Sequence, residues 1–420
     1  MEPKGVRSTS TVKWCIVAPR FPQADRRVTE HRRPIPRAIW ALGFVSLLMD
    51  VSSELIHSLL PVFMFTGLGM SALTIGLIEG AAEATALIVK VFSGALSDWH
   101  GRRKPLALLG YGLGAFSKPL FALAGGAGLV ITARLIDRVG KGIRGAPRDA
   151  LVADIAAPEI RGAAFGLRQA LDTVGAFIGP LLAIGLMLLW ADDFHAVFWV
   201  AVIPAFLAVA LLYCGVHEPE RHQVGKRVNP IKRENLHRLP FAYWWVVGIG
   251  AIFTLARFSE AFLLLRVQSG GLPLAFVPLV FIIMNLVYAA TAYPFGKLAD
   301  TMSHRRLLAW GLVLLILADI ALAWDGHWGF AWSGIVLWGL HMAMTQGLLA
   351  AMIAGTAPAD LRATAYGFFN LASGLAMLFA SMLAGLLWDS LGPQFTFTAG
   401  ALFSMVALAG IGLRRQVNIQ

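Results

Sequence analysis

The chain has 420 residues, of which 57% are hydrophobic and 14% charged, and its mean hydropathy is +0.69. Soluble domains are about 45–50% apolar and about 25% charged, so a water-soluble enzyme, a disordered chain and a nucleic-acid-binding domain are excluded as readings. The net charge of +11 therefore needs another explanation, and the two cysteines, Cys15 and Cys214, cannot make a disulfide framework or a cysteine zinc site.

Residues 1–37 are polar and basic, with nine Lys/Arg and three acids. Their apolar patch at Trp14–Ala18 is too short for a signal-peptide core, so a cytoplasmic tail is expected. Segments long enough to span a bilayer, about 20 residues each, follow at 38–65, 71–96, 105–124, 128–149, 162–190 and 194–215. Residues 217–240 form the one long polar interruption, read as a cytoplasmic linker. A second set lies at 241–267, 274–297, 306–324, 328–353, 363–387 and 393–413, before a short tail at 414–420. The units are thus a tail (1–37), two six-helix halves (38–216 and 241–413), the linker and a C-terminal tail.

Basic residues set orientation, because cytoplasmic loops are enriched in Lys and Arg. With the N-terminus inside, the inner segments hold nearly all the loop Lys and Arg, and the six short outer loops hold none. The positive charge is a topology signal. A multi-pass inner (plasma) membrane protein of bacterial type, with both termini cytoplasmic, is expected.

The halves repeat one another. Gly94-Ala-Leu-Ser-Asp98 followed by Gly101-Arg102-Arg103-Lys104 matches Gly296-Lys-Leu-Ala-Asp300 followed by Arg305-Arg306, 202 residues on. Arg161-Gly-Ala-Ala-Phe-Gly166 matches Arg362-Ala-Thr-Ala-Tyr-Gly367, 201 residues on, and Ser53-Glu54 is paired with Ser259-Glu260. Parallel repeats of this kind belong to transporters with a midplane site between the halves.

On these residues the chain resembles the major facilitator superfamily over 38–413. The G-x-L-x-D-x-x-G-R-R-K element at Gly94–Lys104 is that superfamily's most specific loop motif. Arg138-x-x-Lys141-Gly142 resembles its R-x-x-Q-G element, with Lys141 in place of glutamine. Gly175-x-x-x-Gly179-Pro180 resembles the motif of proton-coupled exporters, without the glycine pair expected after it. The resemblance implies an all-α membrane protein of twelve transmembrane helices in two pseudo-symmetric six-helix bundles. It also implies that the first, fourth, seventh and tenth helices line a central cavity. Finally, it implies a cytoplasmic gate in which Asp98 and its basic cluster meet the start of the eleventh helix. Gly94, Asp98, Gly101, Arg102, Arg103, Asp300 and Arg305 are the gate candidates.

Charged residues in hydrocarbon are costly and face a cavity or one another. The candidate cavity residues are Arg134, Asp137, Arg138, Lys141, Arg168, Asp172, Arg257, Glu260, His341 and Gln346. At 1.5 Å per residue, Asp50 lies about 18 Å into its helix, near the midplane. Asp50–Glu54, Glu79–Glu83 and Arg168–Asp172 are i,i+4 pairs. The two like-charged pairs point to carboxyls that hold and release protons, so Asp50, Glu54, Glu79 and Glu83 are the proton-coupling candidates. For Asp50 and Glu54 the alternative is a fixed pairing with Arg138 or Arg134, and for Glu83 an ion pair with Lys90. Lys118 and Asp319 are displaced toward the outer ends of their helices, where snorkelling is expected. Gly175, Gly179 and Pro180 are read as a close-packing, bending element in the fifth helix.

No P-loop, nucleophile triad or metal signature appears, so neither enzymatic chemistry nor a cofactor is expected. The expected partners are a small solute, protons and lipid, for a monomer without nucleic acid. The leading function is proton-coupled export of a small organic solute by alternating access. The alternative is proton-coupled import of an anionic solute, and a transporter-like sensor is the third reading.

Overall fold

The computed structural model describes residues 35–100, 102–157, 160–218, 238–324, 328–345, 348–358 and 361–413. The side chains of residues 95, 98–100, 299–301, 350, 351, 354, 362, 363 and 413 lie outside that description. The tails at 1–34 and 414–420 and most of the linker also lie outside it.

The described helices fall into twelve segments: α1 (Arg37–Gly67), α2 (Ala72–His100), α3 (Lys104–Ala122), α4 (Ala127–Ile155), α5 (Arg161–Leu189), α6 (Phe194–Gly215), α7 (Phe241–Ser269), α8 (Leu279–Thr301), α9 (His304–Ala323), α10 (Trp328–Thr345 and Leu348–Thr356), α11 (Arg362–Leu391) and α12 (Pro393–Leu413). Nine of them are long and apolar enough, on length and composition, to cross a membrane. The other three are α3, α4 and α10. In α4 the apolar run is interrupted by Arg134, Asp137, Arg138, Lys141 and Arg144, so its hydropathy understates its role.

Each packing pair in the first half has its counterpart in the second: α1 with α5 and α7 with α11; α3 with α4 and α9 with α10; α2 with α4 and α8 with α10; α3 with α6 and α9 with α12. The twelve-helix, two-bundle architecture follows. Large apolar side chains such as Phe116 on α3, Ile203 on α6, Trp310 on α9 and Leu402 on α12 are exposed, which suits lipid-facing helices.

Three expected helices are interrupted. In α1 regular structure lapses at Ser58–Leu59 and ends in a π turn at Phe63–Gly67. Pro61 lies one turn on, and a proline has no N–H and clashes with the carbonyl four residues back. In α7 the helix stops at Ala256 and resumes at Ala261. There the Ala261 N–H donates to Ser259 Oγ at 3.3 Å and the Ser259 N–H donates to Ser381 Oγ of α11 at 3.2 Å. A serine that offers local backbone bonds competes with the helix ladder. In α10 the two pieces are separated by residues 346–347, so Gln346 is outside the described residues. The α1 and α7 breaks correspond at an offset of 201, which pairs Ser58 with Ser259 and replaces the Ser53–Ser259 register.

The apolar core is divided unevenly. One cluster joins both halves, from Leu55–Met64 of α1 through Ala183 and Met187 of α5 to Ala261–Val267 of α7 and Phe281 of α8. These residues lie toward the face opposite the termini. Toward the terminal face the core splits into a cluster confined to the second half and one confined to the first. The halves share one apolar core opposite the termini, which seals that face; toward the terminal face their cores are separate, although α2 and α11 still meet there, a Cβ on Gly367 lying 3.1 Å from Val91.

Candidate functional site

Charged side chains gather on the inner faces of α1, α2 and α4, in two layers. In the layer nearer the sealed face, Lys118 of α3 donates to Asp137 Oδ1 at 2.7 Å and to Ser53 Oγ at 3.1 Å. Arg134 donates to Glu79 at 2.5 Å, and Arg138 pairs with Glu83 at 3.0 Å and touches the His57 ring at 3.1 Å. His57 also lies 3.5 Å from Asp137 and 3.8 Å from Glu54. The second layer lies a few turns toward the termini. Arg168 donates to Asp172 at 2.6 Å, Arg148 donates to Ser46 at 3.2 Å, and Arg144 stacks over the Tyr111 ring at 5.1 Å. Asp50 sits in this layer, its Cβ 3.1 Å from where a Cβ on Gly175 of α5 would lie.

Several expectations change at this point. Glu79 and Glu83 do not share a charge between themselves, since each has its own arginine from α4. Glu83 does not pair with Lys90. Asp50 and Glu54 are not paired with Arg134 or Arg138: Glu54 leans on His57, and Asp50 makes no ion pair or hydrogen bond among the described residues. Lys118 and Asp319 do not snorkel, because both are fully buried between helices. His341 is also fully buried, its Nδ1 2.8 Å from the Gly311 carbonyl and its ring against Phe253, so it does not line an open cavity in this state.

The groups that retain exposure mark the cavity. Glu54 and Glu83 are partly exposed, Lys141 is exposed with no ion-pair partner among the described residues, and across the gap Arg257 and Glu260 pair with each other at 3.4 Å. Arg257 and Glu260 flank the α7 break, and discontinuous helices of this kind form the midplane sites of transporters.

The α5 motif acts on α1. A Cβ at Gly175 would meet the Leu47 carbonyl at 2.6 Å, and one at Gly179 would meet the Leu55 nitrogen and Glu54 Cβ at 2.9 Å. The glycines thus let α5 lie directly behind Asp50 and Glu54, and Pro180 follows inside the helix. At the terminal face, Arg103 and Arg305 each make contacts inside their own half. Arg103 pairs with Asp154 at 3.0 Å, its N–H is held by the Glu218 carboxylate, and Arg305 donates to the Ile411 and Gly412 carbonyls. Gly94 packs 3.5 Å from Ala146 by the same Cβ measure, and Arg102 is exposed. The side chains of Asp98 and Asp300, and Gly101, lie outside the described residues.

Sequence reasoning missed Asp389. Its carboxylate, at the end of α11, accepts the N–H groups of Ala72 at 3.0 Å and Leu73 at 2.8 Å at the start of α2. This contact joins the halves on the sealed face, and only the Ser71-Ala-Leu start of α2, which lacks an acidic first turn, hinted at a missing cap.

The family model for the Major Facilitator Superfamily matches residues 42–287 and 267–417. An uncharacterised MFS-type transporter of Methanocaldococcus jannaschii is 32% identical over 386 residues, covering 90% of this chain and 95% of that protein. The inner membrane transport protein YajR of Escherichia coli is 25% identical over 397 residues, covering 91% of this chain and 84% of that one. The crystal structure of a bacterial homologue of the human lysosomal transporter Spinster, inward-facing and unoccupied, superposes with a TM-score of 0.71 at 16% identity, over 90% of this chain and 96% of that one. With the family model matched over residues 42–287 and 267–417 and a relative 32% identical over 90% of its length, the chain belongs to the major facilitator superfamily of secondary transporters.

Proposed function

We infer that this transporter exports a small organic solute in exchange for protons by alternating access, from the inner membrane with both termini in the cytoplasm. The observation that carries this reading is the set of partly exposed charges around one gap: Glu54, Glu83 and Lys141 from the first half, and Arg257 and Glu260 from the second. A carboxyl that is solvated in one state and buried in the other binds a proton in the second. Asp50 and Glu54 are the coupling residues in this scheme. They sit where α5 approaches α1 through Gly175 and Gly179, so a shift of one helix against the other changes their surroundings. Glu79, tied to Arg134, holds α2 to α4. Arg168 and Asp172 support Asp50 from α5. Asp98, Arg102, Arg103, Asp300 and Arg305 form the cytoplasmic gate, with Asp98 reaching the start of α11 when that face closes.

The second reading, import of an anionic solute, is favoured by the exposed Lys141, which has no ion-pair partner among the described residues. Proteoliposomes with an imposed pH gradient test the scheme. Asp50→Asn combined with Glu54→Gln should abolish uphill transport and spare equilibrium exchange; retained proton-driven accumulation would end the assignment. Deletion of the gene should sensitise cells to a toxic compound under the first reading and block growth on a nutrient under the second. Solutes for both assays come from a screen for thermal stabilisation, since a ligand bound only by the folded protein raises its melting point.

A further inference from the structure

Asp319 lies in the last third of α9, one turn before its end at Ala323 and outside the charged cavity. Its side chain is fully buried, and neither carboxyl oxygen has a hydrogen-bond partner. What surrounds it is apolar. A Cβ placed on Gly400 of α12 would lie 2.7 Å from Asp319 Oδ2 and 3.0 Å from the Phe258 ring. Phe258 in turn packs on Phe262, Trp338 and Phe397, with centroids 5.6, 5.9 and 5.5 Å away. The Trp338 Nε1 also has no acceptor.

The charged groups on the neighbouring elements are committed elsewhere. On α7, Arg266 donates to the Leu322 and Trp324 carbonyls at 2.7 and 3.0 Å, and Arg257 and Glu260 face each other at 3.4 Å. On α10, His341 contacts the Gly311 carbonyl, two turns away along α9. The span of α12 holds no ionisable residue, and those of α9 itself, His304, Arg305 and Arg306, are at its start.

The internal repeat sharpens the contrast. The offset of 201 that relates Arg161 to Arg362 also relates Lys118 to Asp319 and Asp137 to Trp338. In the first half this position holds a buried ion pair at 2.7 Å. In the second half the cation is replaced by a carboxyl and the anion by an indole, so no counter-ion remains. An isolated carboxylate in such a place costs far more than a neutral acid.

We propose that Asp319 is a proton-binding site of the second half, separate from the charged cavity, loaded while the face opposite the termini is sealed and emptied when the α7 break carries Phe258 away from it. Phe258 belongs to the stretch between the two pieces of α7 and is outside the regular hydrogen-bond ladder of either piece. It is therefore the wall of the site that can move with least loss of backbone bonding. The ligand is a proton and not a metal cation, because hard cations take six or more oxygen ligands and this site offers one carboxyl. The inference does not depend on the direction of transport or on the solute.

Infrared spectroscopy of the purified full chain in lipid tests it without a transport assay. A protonated-carboxyl C=O band is expected at neutral pH, shifted by labelling with [4-13C]aspartate, and lost in Asp319→Asn. An unchanged band in Asp319→Asn would overturn the proposal. If that variant fails to fold, Asp319→Glu serves in its place: the band must then respond to labelled glutamate and no longer to labelled aspartate. Release is read on transfer to D2O, where the band must shift without unfolding; a band that never exchanges overturns the gating step. Loss of the band on adding sodium at fixed pH would assign the site to a cation and also overturn the proposal.

Discussion

Removing the Asp389 carboxylate should unlock the sealed face. Its two oxygens accept the N–H groups of Ala72 and Leu73 across 317 and 316 residues of sequence. Such N-terminal caps are worth about 1 kcal/mol, with a range of about 0.5–2. The negative charge at a helix N-terminus adds about 0.3–1 kcal/mol. Because the residue is solvent-exposed, the sum belongs at the low end, about 1–2 kcal/mol for Asp389→Ala. When the two helix ends separate, this contact is lost in wild type as well, so its energy bears on the sealed state alone. A change of that size multiplies the open-to-sealed ratio about 5–30-fold. Spin labels at T66C and S269C, at the sealed-face ends of α1 and α7 and with the native cysteines replaced, report that ratio as the population of the longer distance. Asp389→Asn, which keeps one acceptor, should give a smaller shift in the same direction. A ratio unchanged within twofold in Asp389→Ala would refute the latch.

Other consequences follow from the packing and the ion pairs. Asp137→Leu alone should destabilise the protein by about 3–5 kcal/mol, since it leaves the fully buried Lys118 ammonium without its anion; adding Lys118→Met should recover much of the loss in a melting experiment. Gly179→Leu should block the approach of α5 to α1 and cut transport at least tenfold while expression persists, because its Cβ already meets α1 backbone at 2.9 Å. Arg266→Met should lower the melting point by leaving the Leu322 and Trp324 carbonyls unpaired, at about 1–3 kcal/mol. Asp98→Asn should leave the protein in the membrane and slow turnover; normal rates would remove Asp98 from the gate.

The sequence by itself determined the architecture. Length of apolar run, the one-sided distribution of Lys and Arg, and a repeat offset near 201 are one-dimensional quantities, and a membrane converts them directly into spans and bundles. The i,i+4 reading of charges went less far. It found Arg168–Asp172, a bond within one helix, but took Glu79 and Glu83 for a like-charged pair when each is neutralised from α4. It placed Lys118 and Asp319 at an aqueous edge from their height alone, whereas both are buried between helices. The breaks in α1 and α7, the α11-to-α2 cap at Asp389 and the apolar core shared by the halves on one face were decided by tertiary structure. The physical reason is range: hydropathy acts residue by residue, while a buried charge takes whichever counter-ion the neighbouring helix brings within about 3 Å, and that neighbour lies dozens to hundreds of residues away.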